Sequence, residues 1–174
     1  MSSVESKAKN IKLLVLDVDG VLTDGRLFFS AQGNELKAFS ILDGLGIKML
    51  KNSGVDIGII TGRTSPLVAR RVRDLGIEHL LQGREDKLVA LKELTSELNV
   101  SLGQTAYMGD DLPDLSAIRS VELGITVPNA HEFVLQHADH CTIKAGGEGA
   151  VREVCDLIMK TQGTLEAALN KYLD

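Results

Sequence analysis

The sequence predicts an α/β fold, a Rossmann-like parallel sheet flanked by helices, from three observations. Short apolar runs of strand length recur along the chain, and stretches with helical periodicity lie between them. Helix-boundary residues such as Pro66 and Gly76 separate the two kinds of segment. Strands that alternate with helices of about ten residues are typical of βαβ units. Such units form a parallel sheet with right-handed crossovers.

The first strand is predicted over residues 11–16 (IKLLVL), an almost wholly apolar run that ends at Asp17. A run that is apolar at every position is typical of a strand buried on both faces, as in parallel sheets. Three further short runs predict the other strands of this sheet. They are residues 56–60 (DIGII), 105–108 (TAYM) and 123–127 (LGITV).

Helical periodicity predicts four helices between these strands. They cover residues 46–51, 66–75, 87–98 and 112–119. A last helix is predicted to begin near Ala150, after a glycine-rich segment, residues 146–149, that resembles a flexible joint. We expect the tail, residues 164–174, to move independently of the rest.

A β-hairpin is predicted immediately after the first strand, over about residues 25–40. Two strand-like runs, residues 26–29 and 35–39, flank the turn-forming loop SAQGN. The chain shows no internal repeat and no interdomain linker. Because 174 residues is close to the usual size of one domain, we expect residues 1–174 to form a single domain.

Composition narrows the class of protein. With 44% apolar and 25% charged residues, the chain has the composition of a soluble globular protein. Only 3% aromatic residues and a net charge of −5 argue against nucleic acid binding. No apolar run approaches the roughly 18 residues that span a bilayer, and the two cysteines suggest no disulfide framework. We therefore expect a cytoplasmic protein without nucleic acid or membrane partners.

Carboxylates cluster directly after the first strand, in residues 17–24 (DVDGVLTD). Open α/β sheets bind ligands at this edge, and crowded carboxylates raise one another's pKa unless a cation or a donor compensates. Turn capping by these acids is the simplest alternative. A calcium-binding loop fits this segment poorly, because it needs glycine and glutamate where this chain has Leu22 and Phe28.

Three later features are predicted to lie at the same sheet edge. They are Thr61, Gly62 and Arg63 after the second long strand, Lys87 at the start of a helix, and Asp110, Asp111 and Asp114 after a further strand. Each alone can be explained as a helix cap, a helix-terminal charge or a solvated side chain. Their shared position indicates a functional site.

These motifs (D-x-D-G-x-x-T-D, T-G-R, a lone Lys and G-D-D-x-x-D, in this order) resemble the haloacid dehalogenase (HAD) superfamily of phosphotransferases. The chain also resembles the capless 3-deoxy-D-manno-octulosonate 8-phosphate (KDO 8-P) phosphatase family. That likeness rests on residues 16–25, Phe39 with 43–46, 109–112 and 146–153. It implies magnesium-dependent hydrolysis of KDO 8-P, a step toward lipopolysaccharide, by a HAD-like homotetramer.

The resemblance, with charge and geometry, also implies a role for each residue. Asp17 is the nucleophile that becomes an aspartyl-phosphate, and Asp19 is the general acid and base. Mg²⁺ is held by Asp17, the Asp19 carbonyl and Asp110, with Asp111 and Asp114 behind them. The remaining expected roles are phosphate binding by Thr61, Gly62 and Lys87, and binding of the substrate's carboxylate by Arg63 and Arg70.

The hairpin, a helix and a strand fill the interval from Asp17 to Thr61, and a helix and a short strand fill the interval from Thr61 to Lys87. Neither interval leaves room for a cap domain. We therefore expect a neighbouring subunit to close the site. Three alternatives stay open. The substrate could be the related 2-keto-3-deoxy-nononate 9-phosphate, or the chain could be a catalytically silent HAD-like module. A phosphoacceptor receiver domain fits less well, because its acceptor lies on a later strand than its acidic pair.

Overall fold

Six parallel strands form the main sheet of the computed structural model, which describes residues 3–173. The sheet order is β5-β4-β1-β6-β7-β8, so that the first strand lies in the interior of the sheet. A separate antiparallel pair, β2 and β3, forms the hairpin. The strands are β1 (Leu13–Leu16), β2 (Phe28–Phe29), β3 (Glu35–Leu36), β4 (Asp56–Ile60), β5 (His79–Leu81), β6 (Thr105–Met108), β7 (Leu123–Thr126) and β8 (His140–Cys141).

Helices cover both faces of this sheet. They are α1 (Val4–Ala8), α2 (Ile41–Asn52), α3 (Pro66–Asp74), α4 (Lys87–Glu97), α5 (Leu115–Ile118), α6 (Glu132–Leu135), α7 (Ala150–Thr161) and α8 (Leu165–Asn170), with 3₁₀ turns at Leu102–Gln104 and Leu112–Asp114. One apolar core lies between the sheet and α2, α3 and α7, and the other between the sheet and α4, α5 and α6. The predicted α/β fold is confirmed.

The alternation of side chains along β1 explains why this strand is apolar throughout. Leu14 and Leu16 enter the core beneath α2 and α7, and Leu13 and Val15 enter the core on the opposite face. All four residues are fully buried. β1 pairs with β4 on one side and β6 on the other, so its carboxyl end opens at the middle of the sheet edge. Asp17 therefore lies where ligands bind in such folds.

Helix α2 begins at Ile41, five residues earlier than the sequence indicates. The difference arises from Gly44 and Gly46, which are poor helix formers. A Cβ at Gly44 would lie 2.4 Å from the Arg71 guanidinium, and one at Gly46 would lie 2.7 Å from the Arg152 side chain. The glycines let α2 pack closely against α3 and α7. Tertiary packing thus overrides the local helix propensity.

The predicted helix over residues 112–119 is a 3₁₀ turn followed by the short helix α5. Asp111 caps this turn and accepts a hydrogen bond from the Leu112 N–H at 2.8 Å. Four elements have no counterpart among the sequence predictions: α1, α6, α8 and β8. Each has six residues or fewer, too short for a clear periodic pattern.

The glycine segment at residues 146–149 is not a flexible joint, contrary to the prediction. The Gly147 N–H donates to the Val21 carbonyl at 2.9 Å, and the Gly146 N–H donates to Asn129 Oδ1 at 2.9 Å. A Cβ at Gly146 would lie 1.8 Å from the Gly20 carbonyl oxygen. The segment therefore packs directly against the loop that follows β1.

The tail also differs from the prediction of independent movement. Helix α8 follows α7 after a short turn, and Leu165 and Ala168 pack against the core beneath α2 and α7. The Thr164 N–H donates to the Met159 carbonyl at 2.9 Å. Asp174, the last residue of the predicted tail, and residues 1–2 of the predicted domain lie outside the described residues. Across residues 3–173, no helix combines the length and apolar character needed to cross a membrane.

Candidate active site

The loop after β1 holds Asp17 and Asp19 in a tight turn. The Asp17 N–H continues the sheet by donating to the Met108 carbonyl at 3.0 Å. Gly20 has φ +89°, a backbone conformation that residues with a side chain rarely adopt. The buried Thr23 hydroxyl accepts from the N–H groups of Gly20 and Gly25 at 3.3 and 3.2 Å, so that it closes the loop. The threonine of the motif thus has a structural function.

Lys87 lies buried between two carboxylates. Its Nζ is 2.9 Å from Asp17 Oδ1 and 3.0 Å from Asp114 Oδ1, and it donates to the Ile60 carbonyl at 3.0 Å. Burial lowers the pKa of Lys87, but the charges of Asp17 and Asp114 and the hydrogen bonds to them together raise it by more. The pKa is therefore above its usual value, and the ammonium group keeps its charge next to Asp17.

Asp114 organises the rear of the site, and its side chain is only 1% exposed. Besides Lys87, its Oδ1 accepts a hydrogen bond from the Tyr107 hydroxyl at 2.8 Å. Its Oδ2 accepts from the N–H groups of Asp110 and Asp111 at 3.2 and 3.4 Å. One carboxylate thus connects the lysine to the backbone that carries the other two acids.

Burial and mutual repulsion raise the pKa values of two acids to near neutral pH. The pKa of Asp17 is raised to about 7, first by burial and then by the charge of Asp114, against the lowering effect of Lys87. The pKa of Asp110 is also raised to about 7, by burial and then by the charges of Asp114, Asp17 and Asp111. This crowding favours a bound cation, which would lower both pKa values.

The same carboxylates fit a hard divalent cation. Oxygen atoms of Asp17, Asp110 and Asp114 lie within 4.8 Å of one another. Oxygen ligands are those that Mg²⁺ prefers, and this ion retains several waters, so that few protein ligands suffice. Asp114 is already occupied by Lys87 and Tyr107. The donor set therefore suits a cation held chiefly by Asp17 and Asp110.

A cavity of about 430 Å³ opens above these residues at the sheet edge. Thr61, Gly62 and Arg63 line one side of it, where the Thr61 N–H donates to the Leu81 carbonyl at 3.0 Å. The predicted residues Asp17, Asp19, Lys87, Asp110, Asp111 and Asp114 also line this cavity. The structure thus brings every predicted site residue together except Arg70. That side chain is 77% exposed and lies 3.9 Å from Asp74.

The chain matches known proteins along most of its length. A family model described as haloacid dehalogenase-like hydrolase matches residues 80–154. The 3-deoxy-D-manno-octulosonate 8-phosphate phosphatase KdsC of Escherichia coli (strain B / BL21-DE3) is 47% identical over 167 residues, which cover 96% of this chain and 89% of that protein.

The chain belongs to the KDO 8-P phosphatase family of HAD-like hydrolases. The resemblance predicted from the motifs is therefore confirmed.

Solved structures of similar chains agree with this family. The KDO 8-P phosphatase of Moraxella catarrhalis, crystallised with a magnesium ion, a phosphate ion and a KDO molecule, has a TM-score of 0.96 and 50% identity, covering 97% of both chains. A probable YrbI family phosphatase from Pseudomonas syringae pv. phaseolica has a TM-score of 0.97 and 57% identity, covering 98% of this chain and 97% of that one. The HAD-like fold is thus confirmed across nearly the whole chain.

Two charged residues of the hairpin reach this KDO 8-P phosphatase-like site, and the sequence did not reveal them. The Lys37 ammonium hydrogen-bonds the Asp19 carboxylate. Glu35 accepts from the Ser65 hydroxyl at 2.8 Å and from the Arg63 guanidinium at 3.2 Å. Neither residue belongs to a motif of the resemblance. Their alternation with Leu36 was the one available signal, because it places both on the same side of the strand.

Proposed function

We propose that this chain is a magnesium-dependent phosphatase that hydrolyses KDO 8-P to the free sugar acid and phosphate, a step toward lipopolysaccharide. The decisive observation is the buried contact between Asp17 and Lys87 at 2.9 Å, on the floor of a cavity that is open to a phosphate ester. The two relatives with this activity in their names support the choice of substrate. The proposal treats residues 1–174 as one domain.

The reaction needs an ionised nucleophile, a neutralised phosphate and a proton for the leaving oxygen. A carboxylate oxygen of Asp17 attacks phosphorus, and the bond between phosphorus and the sugar oxygen breaks. The leaving oxygen takes the proton of Asp19, giving the free sugar acid and an aspartyl-phosphate on Asp17. Asp19 then takes a proton from water, whose oxygen attacks phosphorus and releases the Asp17 carboxylate.

Magnesium supplies positive charge that offsets the phosphate oxygens when it is bound. Asp17 and Asp110 would hold it by their carboxylates, with the Asp19 main-chain carbonyl as a third protein ligand. Asp111 lines the cavity beside them, and Asp114 keeps Lys87 in place. Thus the acids divide into two that hold the cation and one that holds the lysine.

The phosphate is held opposite the acids. The Thr61 hydroxyl, the Gly62 N–H and the Lys87 ammonium are the donors that line this part of the cavity. Arg63 also lines it, with a side chain 46% exposed, and its guanidinium suits the carboxylate of a sugar acid. We assign that carboxylate to Arg63 rather than to Arg70, because Arg70 does not line the cavity.

The proposal includes a homotetramer in which a neighbouring chain closes the cavity. The hairpin and the start of α2 expose several large apolar side chains, which a second copy would cover. These residues are Leu27, Phe28, Phe29, Leu36, Ile41 and Leu42. A cytoplasmic location completes the proposal, and it is supported by the free thiols of Cys141 and Cys155, which a reducing compartment maintains.

Light scattering measures the assembly directly. Phe29→Asp is expected to lower the molar mass, because a charge in an apolar interface is costly. The matched control is Val89→Asp, a similarly exposed apolar residue on α4. If the cavity needs a neighbour, the dissociated variant also loses more activity on the sugar-acid phosphate than on p-nitrophenyl phosphate. An unchanged mass for the Phe29 variant contradicts the proposed interface.

The substrate is tested by comparing kcat/KM over a panel of phosphate esters with magnesium. We expect the highest value for KDO 8-P and a loss of about 10⁴-fold or more in Asp17→Asn, which lacks the nucleophile. A preference for the nononate 9-phosphate keeps the mechanism but changes the substrate. A preference for hexose phosphates overturns the sugar-acid assignment, and no turnover of any ester indicates a catalytically silent module.

A further inference from the structure

The hairpin carries a lysine that the proposed mechanism leaves unused. Lys37 follows β3, where the neighbouring Leu36 is exposed, yet its own side chain is only 1% exposed. Its ammonium hydrogen-bonds Asp19 Oδ1 and lies 3.7 Å from Glu35 Oε1. A cation buried to this degree is stable only beside acids that offset its desolvation. Lys37 is therefore fixed against Asp19.

Lys37 is one of four alternating charges that form a ring at the site, with Glu35, Arg63 and Asp19. Glu35 lies between Lys37 and the Arg63 guanidinium, whose Nη2 is 3.2 Å from Glu35 Oε1. Arg63 Nε lies 3.8 Å from Asp19 Oδ2, which closes the ring. Ser65 donates to Glu35 at 2.8 Å and anchors it. The ring joins the loop after β1, the hairpin and the segment after β4.

Asp19 depends on this ring more than Asp17 does. Asp17 is held by Lys87 and by the Val18 N–H, which donates to its Oδ1 at 2.7 Å. Within residues 3–173, the carboxylate of Asp19 is hydrogen-bonded by Lys37 alone. A general acid must lie within hydrogen-bond reach of the oxygen that it protonates. The position of the acid is therefore set by the hairpin.

We propose that Lys37 is the positioning residue for Asp19, an inference that rests on the proposed phosphatase function. An ammonium group can only donate, so the oxygen that it contacts, Oδ1, must accept. The carbonyl oxygen of a carboxylic acid is its better acceptor, so this contact favours Oδ2 as the oxygen that carries the proton. The same contact persists after that proton has moved to the leaving oxygen. Lys37 thus fixes the side chain in both halves of the reaction.

The leaving group of the substrate provides a test. p-Nitrophenolate is stable as an anion and leaves without a proton, whereas the phenolate of phenyl phosphate needs one far more. A misplaced Asp19 therefore slows the hydrolysis of phenyl phosphate more than that of p-nitrophenyl phosphate. Lys37→Met is expected to lower kcat/KM for phenyl phosphate by about 30-fold and for p-nitrophenyl phosphate by less than about 3-fold, given that general acid catalysis contributes about 10² to 10⁴.

Matched variants separate positioning from folding. Lys12→Met removes an exposed lysine at the opposite edge of the sheet and is expected to change neither rate. Lys37→Gln keeps an N–H donor and is expected to lose less than Lys37→Met. The double variant of Lys37→Met with Asp19→Asn should be no slower than Asp19→Asn alone, because both changes remove the same proton transfer. Thermal unfolding of each variant is the control that the rates compared are those of folded protein.

Equal losses on both esters, or additive losses in the double variant, overturn the role of Lys37. If Lys37→Met does not fold, the same comparison with Lys37→Gln decides. The aryl esters also separate this proposal from the substrate assignment. A parent enzyme that hydrolyses them but not KDO 8-P refutes only the assignment, and one that hydrolyses no ester refutes both.

Discussion

Gly146→Ala tests whether the C-terminal part of the chain holds the catalytic loop in place. The new Cβ would lie 1.8 Å from the Gly20 carbonyl oxygen and 2.6 Å from its carbon. Ordinary contact begins near 3.4 Å, so the two backbones must separate by about 1.6 Å. Both atoms belong to the main chain, and no side-chain rotation can relieve the overlap. The loop that carries Asp17 or the glycine segment must therefore move, and in either case the contact between them is lost.

The displacement reaches the chemistry directly, because Gly20 also touches Asp110. A Cβ at Gly20 would lie 1.9 Å from Asp110 Oδ2, so the loop and this acid are in close contact. Misplacement of reacting groups by about 1 Å can cost about 100-fold in rate. We expect a loss of this size in kcat/KM for p-nitrophenyl phosphate with magnesium, in a protein that remains folded by circular dichroism.

Gly103→Ala is the control, because its nearest neighbour, the Ser101 hydroxyl, would be 3.8 Å from the new Cβ. This variant is expected to keep the parent's activity and melting temperature. A Gly146→Ala protein with kcat/KM within about 3-fold of the parent would refute the reasoning. Such a change is smaller than the tenfold loss that about 1.4 kcal/mol of transition-state free energy causes. It would mean that the loop after β1 does not depend on the glycine segment.

Three further predictions concern the acids. Asp114→Asn is expected to lower the free energy of unfolding by about 3 kcal/mol, because one amide oxygen cannot replace the carboxylate that Lys87 and Tyr107 contact; urea unfolding measures this, and a loss under about 0.5 kcal/mol contradicts it. The pKa of Asp110 is raised to about 7, so its contribution to stability is present at low pH and is lost as the pH rises through this value. Asp110→Asn should therefore stabilise the metal-free protein by about 3 kcal/mol more at pH 8 than at about pH 4; a difference that is constant with pH refutes the raised pKa. Because Asp17 and Asp110 must lose protons to bind a cation, magnesium affinity by calorimetry should increase as pH rises through about 7; a pH-independent affinity contradicts their role as ligands.

The sheet was predictable because its strands carry a local signal. Residues 56–60 and 105–108 were predicted with the bounds that the structure shows, since both are short apolar runs between helices. The site followed from topology, because the carboxyl ends of parallel strands meet at one edge. This brought Asp17, Thr61 and Asp110 together although they are far apart in the chain.

Contacts between distant segments left no such signal. The sequence predicts a flexible segment at Gly146, but in the structure the absence of a side chain there makes room for the backbone of Gly20. Gly44 and Gly46 interrupt the helical pattern for a similar reason. Lys37 belongs to no motif in the sequence, and its burial depends on Asp19, which comes from the loop after β1, and on Glu35 of the same hairpin. Such residues are defined by their partners, which a periodic pattern does not identify.

The interior position of β1 has a consequence for the synthesis of the protein. This strand is made first, yet its partner on one side, β4, and its partner on the other, β6, come later in the chain. At about 5 to 20 residues per second, the roughly 90 residues between Leu16 and Met108 take roughly 5 to 20 seconds to translate. During that time four leucine and valine side chains lack their final cover. The nascent chain is therefore most exposed to aggregation, and to capture by chaperones, before β6 has been made and the site around Asp17 can form.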